Sequence, residues 1–165
     1  MPKIEGYHCF ACGTHNPQGL NMSFYLWGDS VRSDVVLNGH HVGWENIAHG
    51  GIISTVLDEI MGWAVIAFQR TFFVTRSMEV RYLRPVQVDV PLTAVGQVEA
   101  EAQPNARGCR VKGRLLDVEG NRLAEAHADM AFLSPKRLVM IPQPYRSDME
   151  RIFEQIRQLL AQDHP

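Results

Sequence analysis

Residues 50–69 read GGIISTVLDEIMGWAVIAFQ. The run is long and apolar enough to raise the question of a membrane span. Asp58 and Glu59 sit together near its centre. Each acidic residue there costs about 2.5–3.5 kcal/mol on insertion into a bilayer, so no span is expected. A helix that is apolar nearly all round must instead be enclosed by the rest of its own chain.

The flanking segments supply the wrapping. Leu20–Trp27 alternates apolar and polar residues, Gly28-Asp29-Ser30 is a turn, and Val31–Leu37 reads as the returning strand of a hairpin. Asn38–Ala48 reads as a loop. After the helix, β-branched and aromatic character rises. Strands are expected at Phe72–Leu83, Leu92–Ala102, Cys109–Val118 and Arg122–Leu133. Gln103–Gly108 and Glu119-Gly120-Asn121 look like hairpin connections. Residues 135–146 form a Pro-rich linker. Ser147-Asp148-Met149-Glu150 fits a capping box, followed by an apolar stripe through Met149, Ile152, Phe153, Ile156, Leu159 and Leu160. A C-terminal amphipathic helix over about Asp148–Gln162 is therefore expected. The layout is α+β: an antiparallel sheet wrapped round a long central helix, with a meander of four strands after it.

At 165 residues the chain has the length of one domain. Hydrophobic residues make up 45% and charged residues 21%, which is globular rather than disordered composition. A net charge of −2 and a pI near 6.4 give no nucleic-acid footprint and no polybasic membrane patch. Met1–Gly6 is polar and no apolar signal region follows. Cys9, Cys12 and Cys109 are an odd count, read as free thiols in a cytoplasmic protein.

The helix also carries chemistry. Gly50 and Gly51 let a ligand approach its first turn, where unsatisfied N–H groups and partial positive charge favour a carbonyl oxygen gaining negative charge. The same two glycines also suit a plain loop-to-helix junction. Gly51, Ser54, Thr55, Asp58, Glu59 and Gly62 read as one stripe. A carboxylate there can activate water or attack an acyl carbon, or it can pair with Arg70, Arg76 or Arg81. Gly51 and Asp58 are seven residues apart, about 10 Å along the axis, too far for both to meet one acyl carbon. Two antiparallel helices in a symmetric dimer remove that difficulty, with Gly51 of one copy beside Asp58 of the other.

Asn46-x-x-His49-Gly50-Gly51, then Leu57-Asp58-Glu59, then Val80-Arg81-Tyr82-Leu83-Arg84-Pro85 resembles the hotdog-fold acyl-CoA thioesterases, particularly the PaaI-like group. The likeness covers about residues 20–134, leaving residues 1–19 as an irregular leader and 147–165 as the added helix. It implies hydrolysis of an acyl-CoA to free acid and CoA, without metal or cofactor, in a homodimer or a dimer of dimers. Carried over by position, Asp58 is the catalytic carboxylate and Gly51 the backbone region that polarises the carbonyl. Gly50 and His49 shape that loop, and Thr75 is a hydroxyl residue that helps position water. Several members have an amide residue six positions before the His. Here that position is Gly43, and Asn46 is the nearest amide. Arg76, Arg81 and Arg84 are candidates for CoA phosphates. Glu59, about 100° round the helix from Asp58, is grouped with the substrate-binding residues. Trp63, Met61 and Phe68 line an acyl pocket or are plain core. A non-catalytic acyl-CoA-binding protein is the alternative, kept open by Gly43. A hotdog dehydratase fits less well, because such enzymes pair a helix acid with a histidine.

The leader His8-Cys9-x-x-Cys12-x-x-His15 has the look of half a zinc site. A structural zinc wants four ligands, and no second knuckle follows. The leader is therefore expected to pack on the sheet, without metal. Neither cysteine has a histidine and an amide placed by motif, so a thiol nucleophile is not expected. His40-His41 reads as a solvated loop pair and His127 as structural.

Overall fold

The computed structural model describes residues 1–99 and 106–162. A hairpin of β1 (Tyr25–Trp27) and β2 (Ser30–Val36) opens the fold. A short 3-10 turn at Gly39–His41 leads to a small hairpin of β3 (Val42–Trp44) and β4 (Ile47–Ala48). Helix α1 spans Gly50–Gln69, as the sequence pattern requires. Then come β5 (Phe73–Tyr82), β6 (Pro91–Val98), β7 (Gly108–Leu116) and β8 (Arg122–Phe132). A single turn, α2 (Pro135–Leu138), precedes the C-terminal helix α3 (Gln143–Gln162).

Six strands form one sheet in the order β1-β2-β6-β7-β8-β5, and every neighbouring pair is antiparallel. The sheet curls round α1. Val31, Val35, Leu92, Ala94, Val111, Leu115, Ala124, Ala126, Ala128 and Met130 of the strands are buried, as are Ile53, Val56, Leu57, Ile60, Met61, Ala64 and Val65 of the helix. Each fully buried aliphatic side chain contributes about 1.5–3 kcal/mol. Two sheet positions set the spacing between the layers. A Cβ on Gly96 would lie 2.3 Å from the Ile60 carbonyl oxygen, and one on Gly113 would lie 3.0 Å from the Met61 side chain. The backbone of α1 therefore rests almost directly on β6, and its Met61 and Leu57 side chains on β7.

Four expectations change. The expected strand Leu20–Trp27 pairs only over Tyr25–Trp27, because Leu20 and Met22 instead give their N–H groups to Phe10 and Ala11 of the leader. The expected loop 38–48 holds the β3–β4 hairpin. The four strands after α1 are not a simple meander: β6, β7 and β8 are, but β5 crosses over to pair with β8. The C-terminal helix starts at Gln143, not Asp148, so Ser147 is not its cap. Pro144 lies in the first turn, where its missing N–H costs nothing. The Ser147 hydroxyl accepts from Gln143 Nε2 at 3.4 Å. The expected strand residues Ala100–Ala102 and part of the connection after them lie outside the described residues.

Candidate active site

The N-terminus of α1 is built by its own preceding loop. His49 is extended (φ −64°, ψ 134°), which suits an N-cap, and its Nδ1 accepts the Gly51 N–H at 2.9 Å. The backbone N–H of His49 donates to the His41 carbonyl at 2.8 Å, so the 3-10 turn holds the cap in place. Gly43 packs directly on His49, and a Cβ there would come within 3.1 Å of the His49 Cα. A side chain at position 43 therefore needs His49 or the hairpin to give by a few tenths of an ångström. The glycine in the family's amide position is thus matched to a closely packed His49.

The next two turns of α1 meet β5. Tyr82 donates to the Gly50 carbonyl at 3.0 Å, and its oxygen lies 2.7 Å from the Ser54 Oγ. Thr75 Oγ1 donates to Asp58 Oδ1 at 2.9 Å. An oxygen–oxygen bond to a carboxylate is charge-assisted and stronger than a neutral one. It fixes one carboxylate oxygen and leaves Oδ2 to act on a second group. Asp58 is half-buried.

Thr75 reaches Asp58 because of a bulge. Inward-facing β5 residues pair with the buried alanines of β8: Tyr82 with Ala124, Val80 with Ala126, Met78 with Ala128. Regular alternation would put Arg76 next on the inner face. Instead the register shifts between Thr75 and Ser77, so Thr75 pairs with Met130 on the inner face. Arg76 is carried to solvent, 3.8 Å from Asp129.

The other candidates separate by place. Arg84, Gly50, Tyr82 and Trp44 line a cleft of ≈ 340 Å³ at the helix N-terminus. Arg81 and Arg76 are on the outer face of the sheet, paired with Glu125 (3.5 Å) and Asp129 of β8. They do not share a cavity with Asp58. Asn46 is exposed in the β3–β4 turn, where its carbonyl accepts the Val88 N–H at 3.0 Å. Glu59 faces away from this site. Its Oε1 accepts the Trp63 indole N–H at 2.9 Å, beside the leader cysteines. Burial and the neighbouring Cys9 raise its carboxyl to about 7. Met61 is core, and Trp63 stacks on Phe24 with ring centres 4.4 Å apart. Sequence reasoning missed the hydrogen bonds of Tyr82 to Ser54 and Gly50, and the separate bond of His49 to Gly51. Tyr82 stood in the quoted strand motif, but only tertiary packing brings it to Gly50.

The model of the thioesterase superfamily matches residues 45–101, from the β3–β4 turn through β6. No curated protein sequence matches the chain. Among solved structures, a thioesterase superfamily protein aligns at TM-score 0.68 and 24% identity over 76% of this chain; the chain spans 60% of that protein's length. A hypothetical thioesterase protein from Streptococcus pneumoniae TIGR4, solved with coenzyme A, aligns at TM-score 0.62 and 22% identity, covering 69% of this chain and 90% of that one. The same protein was solved as an aspartate-to-alanine and a threonine-to-alanine mutant. A phenylacetic acid degradation-related protein from Ralstonia eutropha JMP134 aligns at TM-score 0.59 and 22% identity, covering 68% and 85%. At these identities the likeness is one of fold. The superfamily's own model falls on the loop, helix and strand that build the site, and the sheet around α1 is that of these solved structures: the chain has the hotdog fold and, over residues 45–101, is similar to the thioesterase superfamily.

Proposed function

We propose that the chain is an acyl-CoA thioesterase, working as a dimer in which each site takes residues from both copies. The observation that carries this reading is the Thr75–Asp58 hydrogen bond on the uncovered face of α1. It lies beside β5, an edge strand with an unpaired side. Val74, Tyr82 and Trp44 are exposed around it, at 47%, 53% and 83%, which suits a surface closed by a second copy. A fold relative solved with coenzyme A supports the ligand class.

The thioester carbonyl lies at the N-terminus of α1, and Arg84 faces the CoA phosphates at the cleft. Gly51 donates its N–H to the oxyanion once the His49 ring swings off that hydrogen. Asp58 of the partner subunit, held by its own Thr75, takes a proton from water, and the water oxygen attacks the acyl carbon. The tetrahedral adduct collapses, the C–S bond breaks, and the CoA thiolate recovers a proton from the Asp58 carboxyl. Base catalysis of this kind is worth about 10²–10⁴-fold.

A non-catalytic acyl-CoA binder is the second reading, favoured by the engagement of the Gly51 N–H with His49. Thiol release from short, medium and aromatic acyl-CoAs separates the two. Hydrolysis of at least one substrate, lost in Asp58→Ala, is expected. Equal, slow release by wild type and Asp58→Ala, with acyl-CoA binding intact by calorimetry, would establish the binder instead.

A further inference from the structure

The leader makes a second site that the thioesterase reading does not use. Cys9–Cys12 is one tight turn, closed by the Gly13 N–H on the Cys9 carbonyl at 3.0 Å. Only glycine fits at 13, because a Cβ would lie 2.5 Å from the carbonyl oxygens of both Cys9 and Tyr7. The turn sets both sulfurs against α1. There they meet Glu59, and one ligand atom from each of the three residues lies within 4.8 Å of the others. Cys9 Sγ is 4.0 Å from Glu59 Oε2.

We propose that Cys9, Cys12 and Glu59 bind a thiophilic divalent cation, Zn²⁺ by its ligand chemistry, with a fourth position open to the adjoining cavity. Zn–S and Zn–O bonds of about 2.3 and 2.1 Å place tetrahedral ligands roughly 3.6–3.8 Å apart, so the cluster needs to contract by about 1 Å at most. Glu59 is already oriented for the task. The Trp63 N–H holds Oε1, and Oε2 is turned to the sulfurs, the arrangement in which outer hydrogen bonds fix metal-ligating carboxylates. The fourth position opens on a cavity of ≈ 250 Å³ between the leader, α1 and α3, lined in part by Tyr7, Tyr145 and Met149. Among the described residues the cluster holds no histidine, and His15 turns instead to Thr14 and Glu5.

The charge state of the cluster points the same way. Three acidic groups are packed together, and the ammonium of the nearby Lys3 is engaged by Cys12 O, Asn21 Oδ1 and Met22 O. Without a cation they share protons. The Cys12 thiol donates to Cys9. A divalent ion replaces those protons, which pass to solvent, and ties the leader to the helix residue next to Asp58. The sequence lacked a second knuckle because the third ligand comes from α1, fifty residues from Cys9.

The test uses the full-length chain, reduced and stripped by a chelator, titrated with Co²⁺ and then Zn²⁺. One equivalent of Co²⁺ is expected to give thiolate-to-metal charge-transfer absorption that Zn²⁺ bleaches. Zn²⁺ is expected to shield Cys9 and Cys12 from iodoacetamide while leaving the rate at Cys109 unchanged, read by peptide mass spectrometry. Cys12→Ser should abolish the absorption. Trp63→Phe keeps the ring against Phe24 and should weaken Zn²⁺ binding about 10–100-fold. The wild-type alkylation readout depends on no variant folding, and none of these readouts passes through thioester hydrolysis. Equal alkylation of Cys9 and Cys12 with and without Zn²⁺ would overturn the proposal. So would a Cys9–Cys12 disulfide, formed by glutathione disulfide, that excess Zn²⁺ does not slow.

Discussion

At the scale of single residues, the Thr75 hydroxyl on Asp58 makes a graded series possible. Thr75→Ala removes a hydrogen bond to a charged group, worth about 1.5–3 kcal/mol, so kcat should fall about 10–100-fold. Thr75→Ser should recover most of that loss, and Asp58→Asn should cost more than either; steady-state kinetics on one acyl-CoA reads all three. His49 gives a contrasting case. His49→Ala removes the N-cap acceptor, so stability in denaturant should drop by about 0.5–2 kcal/mol. It also frees the Gly51 N–H, so kcat should stay within a few-fold of wild type. The sequence made Asp58 legible through its spacing from Gly51 and through the resemblance. It could not show that His49 occupies the Gly51 N–H, because a ring's rotamer is set by the packing of Gly43 and His41 around it. Nor could it show that Glu59 turns to the leader, since a 100° offset says which way a side chain leaves the helix but not what waits there.

At the scale of elements, the β5 bulge and the 3-10 turn each carry a prediction. Thr75 and Ser77 already face neighbouring positions of β8, with Arg76 as the extra residue. Deleting Arg76 therefore leaves a regular ladder with Thr75 still on the inner face. Activity should stay within a few-fold of wild type, in contrast to Thr75→Ala. In the 3-10 turn, the buried His41 ring accepts the Asn38 N–H on Nδ1 at 3.0 Å. Burial, with His40 alongside, holds its pKa below the ordinary histidine value. The fold therefore prefers the neutral ring. The stability this confers is complete above about pH 6.5 and is lost as pH falls from there through the depressed folded value. Denaturation midpoints from pH 8 to 5 should decline below about 6.5, and His41→Asn, an acceptor that does not titrate, should flatten the decline. Helix α1 was readable to the residue because its pattern and its glycine entry agree. The crossover of β5 to β8 was not, since alternation names a strand's faces and not its neighbours. The start of α3 was misplaced for a local reason: the Ser147 capping pattern lies inside a helix that Pro144 had already begun.

At the scale of the whole molecule, the shared site predicts complementation. Asp58→Ala and Gly51→Pro chains should each be inactive alone. Refolded together at equal amounts, half the dimers are mixed and each has one intact site, so about a quarter of wild-type activity should return. An active species that runs strictly as a monomer in size-exclusion with light scattering would rule the shared site out. Gly96 and Gly113 carry a different consequence. With the α1 backbone at Ile60 pressed against β6, and the Met61 and Leu57 side chains against β7, the middle of the helix leaves little room beneath it for a hydrocarbon tail, and enlarging that space would mean prising apart the centre of the fold. In the proposed dimer the acyl group then lies along the open side of α1, walled by the second copy. Discrimination among acyl lengths is then a property of how two chains meet, and it can drift through changes at Val74, Trp44 or Tyr82 while the interior of each chain stays untouched.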